Sequence, residues 1–188
     1  MEITRLPLPE EYGALFACAV EGTIREQSAA AHAVLDEMLP VYAQERGITL
    51  PEPLRFAETP SGKPYLAEQS AVHFNLSHCK GLAVCLLSPY ECGVDVEAKR
   101  LMRDKVVRRS YSKTEQTAIA AAEDKDLLFT RLWTLKEAYV KALGIGIGYP
   151  MKEVGFTLQG GAIRCSKSGA DFRQMLYEGF AVSVCVLR

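Results

Sequence analysis

The spacing of apolar residues changes character repeatedly along this chain, and that alternation limits the possible fold more than any other feature. After Thr23, the residues Ala33, Leu35, Met38, Leu39, Val41 and Tyr42 supply a helical stripe. Short runs rich in Val and Leu follow at 72–76, 82–87 and 92–97 and read as strands. Helical spacing returns between Ser112 and Gly144, and four strand-like runs close the chain. Each half therefore offers helices and a few strands, which predicts an α+β fold of two subdomains side by side with a cleft between them. Clefts of that kind are the usual home of a ligand site. The boundary falls at Ser88-Pro89-Tyr90-Glu91, dividing 1–90 from 91–188.

Local signals sharpen the element boundaries. Residues 2–7 open the chain as a strand. Thr23-Ile24-Arg25-Glu26 and Ser112-Lys113-Thr114-Glu115 are capping boxes, each starting a helix. Gly47 stops the first helix, and Gly144 stops a third that spans about 126–143. The segment 51–62 is turn-rich, Ser61-Gly62-Lys63-Pro64 is a turn, and Ser77-His78-Cys79-Lys80-Gly81 joins two strands. The tail reads as strands at 154–159, 162–165, 172–177 and 180–187 in one antiparallel sheet.

Composition excludes several classes. With 188 residues and 48% hydrophobic content, the chain can bury a core. Lys and Arg number 22 against 23 Asp and Glu, so no global positive field invites nucleic acid, and any anion site must be local. No apolar run is long enough to span a membrane and no signal-like start is present, so a cytoplasmic location is expected. The six cysteines include no Cys-x-x-Cys pair, which speaks against a zinc knuckle or a thioredoxin-type site.

Two short stretches carry the chemistry. Asp95 and Glu97 share one face of a strand, with Val94 and Val96 on the other. Alone, the two acids are what an edge strand carries on its solvated face. Glu137 and Lys141 are neighbours on a mostly apolar helix, where a bland i,i+4 salt bridge competes with a site. A buried Glu137 needs a cationic partner. Trp133, on the same helix, is expected in the core. If strand and helix meet, three carboxylates and an ammonium converge, which suits a hard cation and a phosphorylated substrate. Ser77 and His78 could donate to a phosphate, while Lys63 is by default a solvated turn lysine. No Walker loop, Gly-x-Gly-x-x-Gly or Gly-x-Ser-x-Gly is present.

Taken in order, Gly62-Lys63-Pro64, Asn75-Leu76-Ser77-His78, Gly93-Val94-Asp95-Val96-Glu97 and the nine residues from Trp133 to Lys141 resemble the motifs of the two-halved, Sfp-type 4′-phosphopantetheinyl transferases. The resemblance runs from about Ser61 to Gly148. It implies two similar α+β subdomains in pseudo-twofold arrangement, the first contacting the coenzyme A nucleotide, the second carrying the metal site and catalytic helix. It implies transfer of the phosphopantetheine arm of coenzyme A to a serine of an acyl or peptidyl carrier protein, by a monomer. Asp95, Glu97 and Glu137 would hold Mg2+, with Glu137 also the general base. Lys141 would neutralise the pyrophosphate, Lys136 would contact phosphate or carrier, and Lys63, Ser77, His78 and Lys141 would grip coenzyme A.

The chain departs from the family pattern in three places. No lysine precedes Lys63, His32 stands where many relatives have an arginine, and Cys79 replaces a serine after His78. The 3′-phosphate of coenzyme A is then expected to find other partners, among them Arg25, Arg46 or Arg55. Two other readings use the same residues: a non-catalytic homologue that binds carrier protein or coenzyme A, or another Mg2+-dependent phosphotransferase.

Overall fold

A computed structural model describes residues 1–188 apart from the side chain of residue 147. The elements are β1 (Thr4–Leu6), β2 (Ala14–Val20), α1 (Ile24–Glu45), β3 (Phe56–Glu58), β4 (Pro64–Leu66), β5 (His73–Cys79), β6 (Gly81–Ser88) and β7 (Cys92–Ala98). There follow α2 (Asp104–Ser110), α3 (Lys113–Ala121), α4 (Lys125–Leu143), β8 (Phe156–Gln159), β9 (Ala162–Cys165), β10 (Ala170–Tyr177) and β11 (Phe180–Leu187). The fold is α+β.

Two antiparallel sheets stack face to face. One has the order β1-β2-β6-β5 and the other β10-β11-β7. Alternation along each strand divides the side chains between faces. Leu15, Ala17, Val84 and Leu86 meet Val94, Val96, Val182 and Val184 between the sheets. Phe16, Cys18, Phe74 and Cys85 turn outward against Ala31, Val34, Leu35, Leu39 and Tyr42 of α1. On the far side, Leu135, Ala138 and Ala142 of α4 pack with Phe172 and Cys185. The layers thus run α1, sheet, sheet, α4.

Both predicted capping boxes form. Thr23 N–H donates to Glu26 Oε2 at 2.7 Å, and Ser112 N–H donates to Glu115 Oε2 at 2.7 Å. Helix α4 starts at Asp124, whose carboxylate accepts from Leu127 N–H at 2.9 Å. It ends at Gly144 in the left-handed region, at φ 64°.

Several expectations need correction. Strand β2 escapes the sequence pattern because three of the seven residues of Ala-Leu-Phe-Ala-Cys-Ala-Val are alanine, a poor strand former. Burial on both faces, between β1 and β6, overrides that propensity. Residues 77–79 continue β5 rather than forming a turn, leaving Lys80 alone between the strands. The tail does not make one sheet: β8 and β9 pair only with each other, while β10 and β11 join β7. The stripe of α1 is rotated from the expected one, with Val34 buried and Val41 40% exposed.

One glycine sets the spacing that matters for the site. A Cβ at Gly93 would collide with the Ala138 carbonyl oxygen and the Ala142 nitrogen of α4. Overpacking of this kind typically costs about 1–3 kcal/mol. Gly93→Ala is therefore expected to lower stability by roughly that amount or more in urea unfolding, because the obstacle is backbone and cannot rotate away.

Candidate active site

Strand β7 carries Asp95 and Glu97 on the face turned to α4, opposite Val94 and Val96. Helix α4 brings Lys141 to that face. Lys141 Nζ lies 2.7 Å from Asp95 Oδ1, 2.9 Å from Ser77 Oγ and 3.1 Å from the Val94 carbonyl. Ser77 Oγ donates to Asp95 Oδ1 at 3.0 Å. Oxygen Oδ2 of Asp95 is buried with no hydrogen-bond partner among the described residues. A buried carboxylate oxygen left without a donor is costly, and a bound cation would satisfy it.

Glu97 and Glu137 share the electrostatic environment of Asp95. Burial pushes the Glu137 carboxyl above the ordinary carboxylate range, the Asp95 charge adds to that, Lys141 opposes it, and Glu97 raises it further. Burial also raises Glu97; Arg100 opposes it, forming a 2.8 Å ion pair, and Asp95 adds to the rise. Among the described residues, no three carboxylate, histidine or cysteine groups stand close enough to hold a metal ion. Two of the three acids are paired with cations instead, Asp95 Oδ1 with Lys141 and Glu97 with Arg100. The donor set itself is hard oxygen and fits Mg2+ chemically, and the bare Asp95 Oδ2 is consistent with it.

A cleft of about 1030 Å³ opens beside these groups. Ser61, Lys63 and Asn75 come to it from the first half; Lys105, Arg109, Glu137, Lys141 and Lys152 come from the second. Five lysines and arginines line it against one acid, a local concentration of cations in a near-neutral chain, although Lys63 and Lys141 are already ion-paired. Trp133, expected in the core, is partly buried against the core cluster of α4 and also lines the cleft, with the Arg100 guanidinium 5.9 Å from its ring centre.

The remaining predicted residues separate. Ser77 is buried and serves Asp95, Lys141 and the Val96 N–H, so its hydroxyl is already committed. His78 points the other way, toward α1, with Nδ1 3.4 Å from Gln27 Oε1. Burial, Lys141 and His32 hold its pKa below the usual histidine value. Lys63 donates to Glu91 at 2.7 Å and to the Ala142 carbonyl at 3.0 Å, tying the Gly-Lys-Pro turn to the end of α4. Lys136 does not face the cleft. It is fully buried and paired with Glu115 at 2.9 Å, so its ammonium offers no surface to phosphate or carrier.

Four further residues stand at the candidate site outside the expected set. Asn75 sits within a quoted motif, yet its role is visible only across the sheets: Oδ1 accepts the Val94 N–H at 2.9 Å. Arg100, three residues beyond Glu97, had that spacing as a signal. Lys152 and Tyr149 had none, because a loop brings them to the cleft.

The family model of the 4′-phosphopantetheinyl transferase superfamily matches residues 91–185. The chain belongs to that superfamily. Among curated transferases, it is 32% identical over 101 residues to 4′-phosphopantetheinyl transferase Sfp of Bacillus subtilis, covering 52% of this chain and 45% of that protein. It is 35% identical over 105 residues to 4′-phosphopantetheinyl transferase HetI of Nostoc sp., covering 52% and 44%. The mouse L-aminoadipate-semialdehyde dehydrogenase-phosphopantetheinyl transferase is 29% identical over 119 residues, covering 55% and 38%. The match thus spans less than half the length of each of these relatives.

The raised acids of this phosphopantetheinyl transferase superfamily member have a thermodynamic signature. A carboxyl whose pKa is raised by folding contributes stability that is complete below its unfolded value, about 4.3 for Glu, and lost as pH rises through the folded value. Glu137→Gln removes that loss. In EDTA, the variant is expected to melt a few degrees above the parent at pH 7, with the gap closing as pH falls toward 4.3. Melting curves at four pH values check this; a variant less stable at pH 7 contradicts it.

Proposed function

We propose that the chain transfers the 4′-phosphopantetheine arm of coenzyme A to a serine of an acyl or peptidyl carrier protein, releasing 3′,5′-ADP. The observation that carries this reading is the meeting of a bare Asp95 Oδ2, a raised Glu137 and Lys141 beside a basic cleft built from both halves. In this reading the halves, 1–90 and 91–188, are related by a pseudo-twofold and work as a cytoplasmic monomer. The first contacts the nucleotide and the second carries the metal site and catalytic helix.

Asp95, Glu97 and Glu137 would hold Mg2+, which when bound would supply charge neutralisation at the pyrophosphate oxygens. The serine Oγ bonds to the β-phosphorus as the bond from that phosphorus to the bridging oxygen breaks. The electron pair leaves with 3′,5′-ADP. Glu137 takes the serine proton, directly or through water, and its raised pKa suits a proton acceptor that must also release it. Lys141 keeps part of its side chain exposed, so its ammonium can meet the leaving phosphate. Lys63 would contact the nucleotide end from the cleft, His78 would reach it only from the α1 side, and Ser77 acts through Asp95 and Lys141.

Carrier proteins are commonly acidic, and α2 with the residue preceding it presents Arg103, Lys105, Arg108 and Arg109 as exposed cations. Lys105 and Arg109 are four apart and both reach the cleft rim. Helix α2 is therefore the carrier-docking surface in this reading. Arg108→Glu with Arg109→Glu is expected to raise the carrier concentration for half-maximal rate about tenfold while changing the maximal rate little. An unchanged dependence on carrier concentration removes α2 from the docking surface.

Intact mass of an apo carrier protein, after incubation with this protein, coenzyme A and Mg2+, tests the function. The expected gain is one phosphopantetheine arm, lost with EDTA, with Asp95→Ala or with Glu137→Gln. No gain across fatty-acid, polyketide and peptide carriers overturns the reading.

A further inference from the structure

Glu115 and Lys136 form an ion pair that no step of the proposed transfer uses. Both side chains are 0% exposed. Such a pair persists only when its remaining donors and acceptors are satisfied, and here they are. Lys136 Nζ lies 2.9 Å from Glu115 Oε2 and donates to the Met151 carbonyl at 2.9 Å and to the Val154 carbonyl. It also lies 5.4 Å from the ring centre of Tyr111 and 5.9 Å from that of Phe156. Glu115 Oε1 accepts the Phe156 N–H at 2.9 Å, while Oε2 also accepts the Ser112 N–H at 2.7 Å. One buried pair therefore grips three backbone groups of the segment 151–156.

That segment leads directly out of the cleft. Tyr149, Pro150, Met151 and Lys152 line the same opening as Glu137 and Lys141. Lys136 and Glu137 are consecutive, and successive side chains on a helix diverge by about 100°. Helix α4 thus holds the proposed base on one face and the tether of the cleft wall on the next. An apolar pair of similar volume would serve the core as well as these ions or better. What the ions add is directional bonds to the wall.

We propose that Lys136 and Glu115 are positioning residues for the transfer reaction, a buried latch that fixes the 149–152 wall relative to Glu137. The inference rests on the transferase reading of the site. It predicts that losing the latch slows the chemical step without weakening coenzyme A binding, because the wall shifts while the nucleotide contacts stay.

The test compares the parent, the double variant Lys136→Met/Glu115→Leu and the milder Glu115→Gln. Melting temperature, coenzyme A affinity by calorimetry, kcat with an apo carrier protein and Mg2+, and amide exchange over 149–158 are measured for each. The double variant is expected to melt near the parent, to bind coenzyme A within about twofold, and to lose at least about tenfold in kcat, since small misplacements at a reacting centre are costly. Exchange at Phe156 and its neighbours is expected to accelerate at least about tenfold. Parental kcat in a stably folded double variant overturns the proposal, as does weakened coenzyme A binding with kcat intact. If the double variant does not fold, Glu115→Gln decides: lowered kcat with unchanged coenzyme A affinity supports the latch, and parental kcat overturns it. A parent inactive on every carrier would sink the transferase reading, and exchange would still decide the latch, since unchanged protection at Phe156 removes it.

Discussion

How near α4 can lie to β7 governs everything at the site. The contact is small against small: Gly93 on the strand, Ala138 and Ala142 on the helix. Glu137 and Lys141 repeat the same four-residue interval, displaced by one position. They are therefore turned by about 100° from the contact line. The interval that seats the helix thus also presents an acid and an ammonium beside Asp95. A side chain at position 93 would push the helix out and part Lys141 from Asp95. The first sheet completes the arrangement, because Asn75 and Ser77 accept backbone N–H groups of Val94 and Val96 and hold β7 on either side of Asp95.

What this geometry brings together is not a restful set of charges. Asp95 is 6% exposed and keeps one oxygen bare, while burial and mutual repulsion raise Glu97 and Glu137. Among the described residues, Lys141 and Arg100 answer them nearby. Surroundings built for stability alone would supply donors for every buried oxygen. Here the shortfall is local to one face of one strand, next to an opening rimmed by lysines and arginines. Excess negative charge beside a positive rim is an arrangement suited to a cation and an anion bound together, and that is the electrostatic basis of the function proposed.

Elements with local signatures were legible in the sequence. Both capping boxes form as expected because Thr23 with Glu26, and Ser112 with Glu115, settle their geometry within four residues. The meeting of Asp95, Glu137 and Lys141 follows from periodicity together with the resemblance, whereas the direct Asp95–Lys141 ion pair does not. The illegible parts depend on distant segments. Strand β2 is a strand because β1 and β6 flank it, and its alanines alone do not say so. The roles of Asn75, Lys63 and Lys136 are set by partners 19, 79 and 21 residues or so away, beyond any local pattern. Sequence places such residues in a motif without telling which way they point.

The motif on α4 shows why that distinction matters. Its nine residues cover two and a half turns, so one face cannot hold them all. Trp133, Glu137, Val140, Lys141 and Gly144 line the cleft, at intervals of four, three, one and three. That is the narrow stripe a single helical face permits. Thr134, Leu135, Lys136, Ala138 and Tyr139 are buried away from the cleft. Thr134 shares a 2.7 Å hydrogen bond with Ser183 of β11, and Lys136 holds the chain beyond the helix. Half of the motif is therefore a requirement of packing. A lysine next to the candidate base is, by helical geometry alone, a poor candidate for touching the same substrate and a good one for anchoring the base in place.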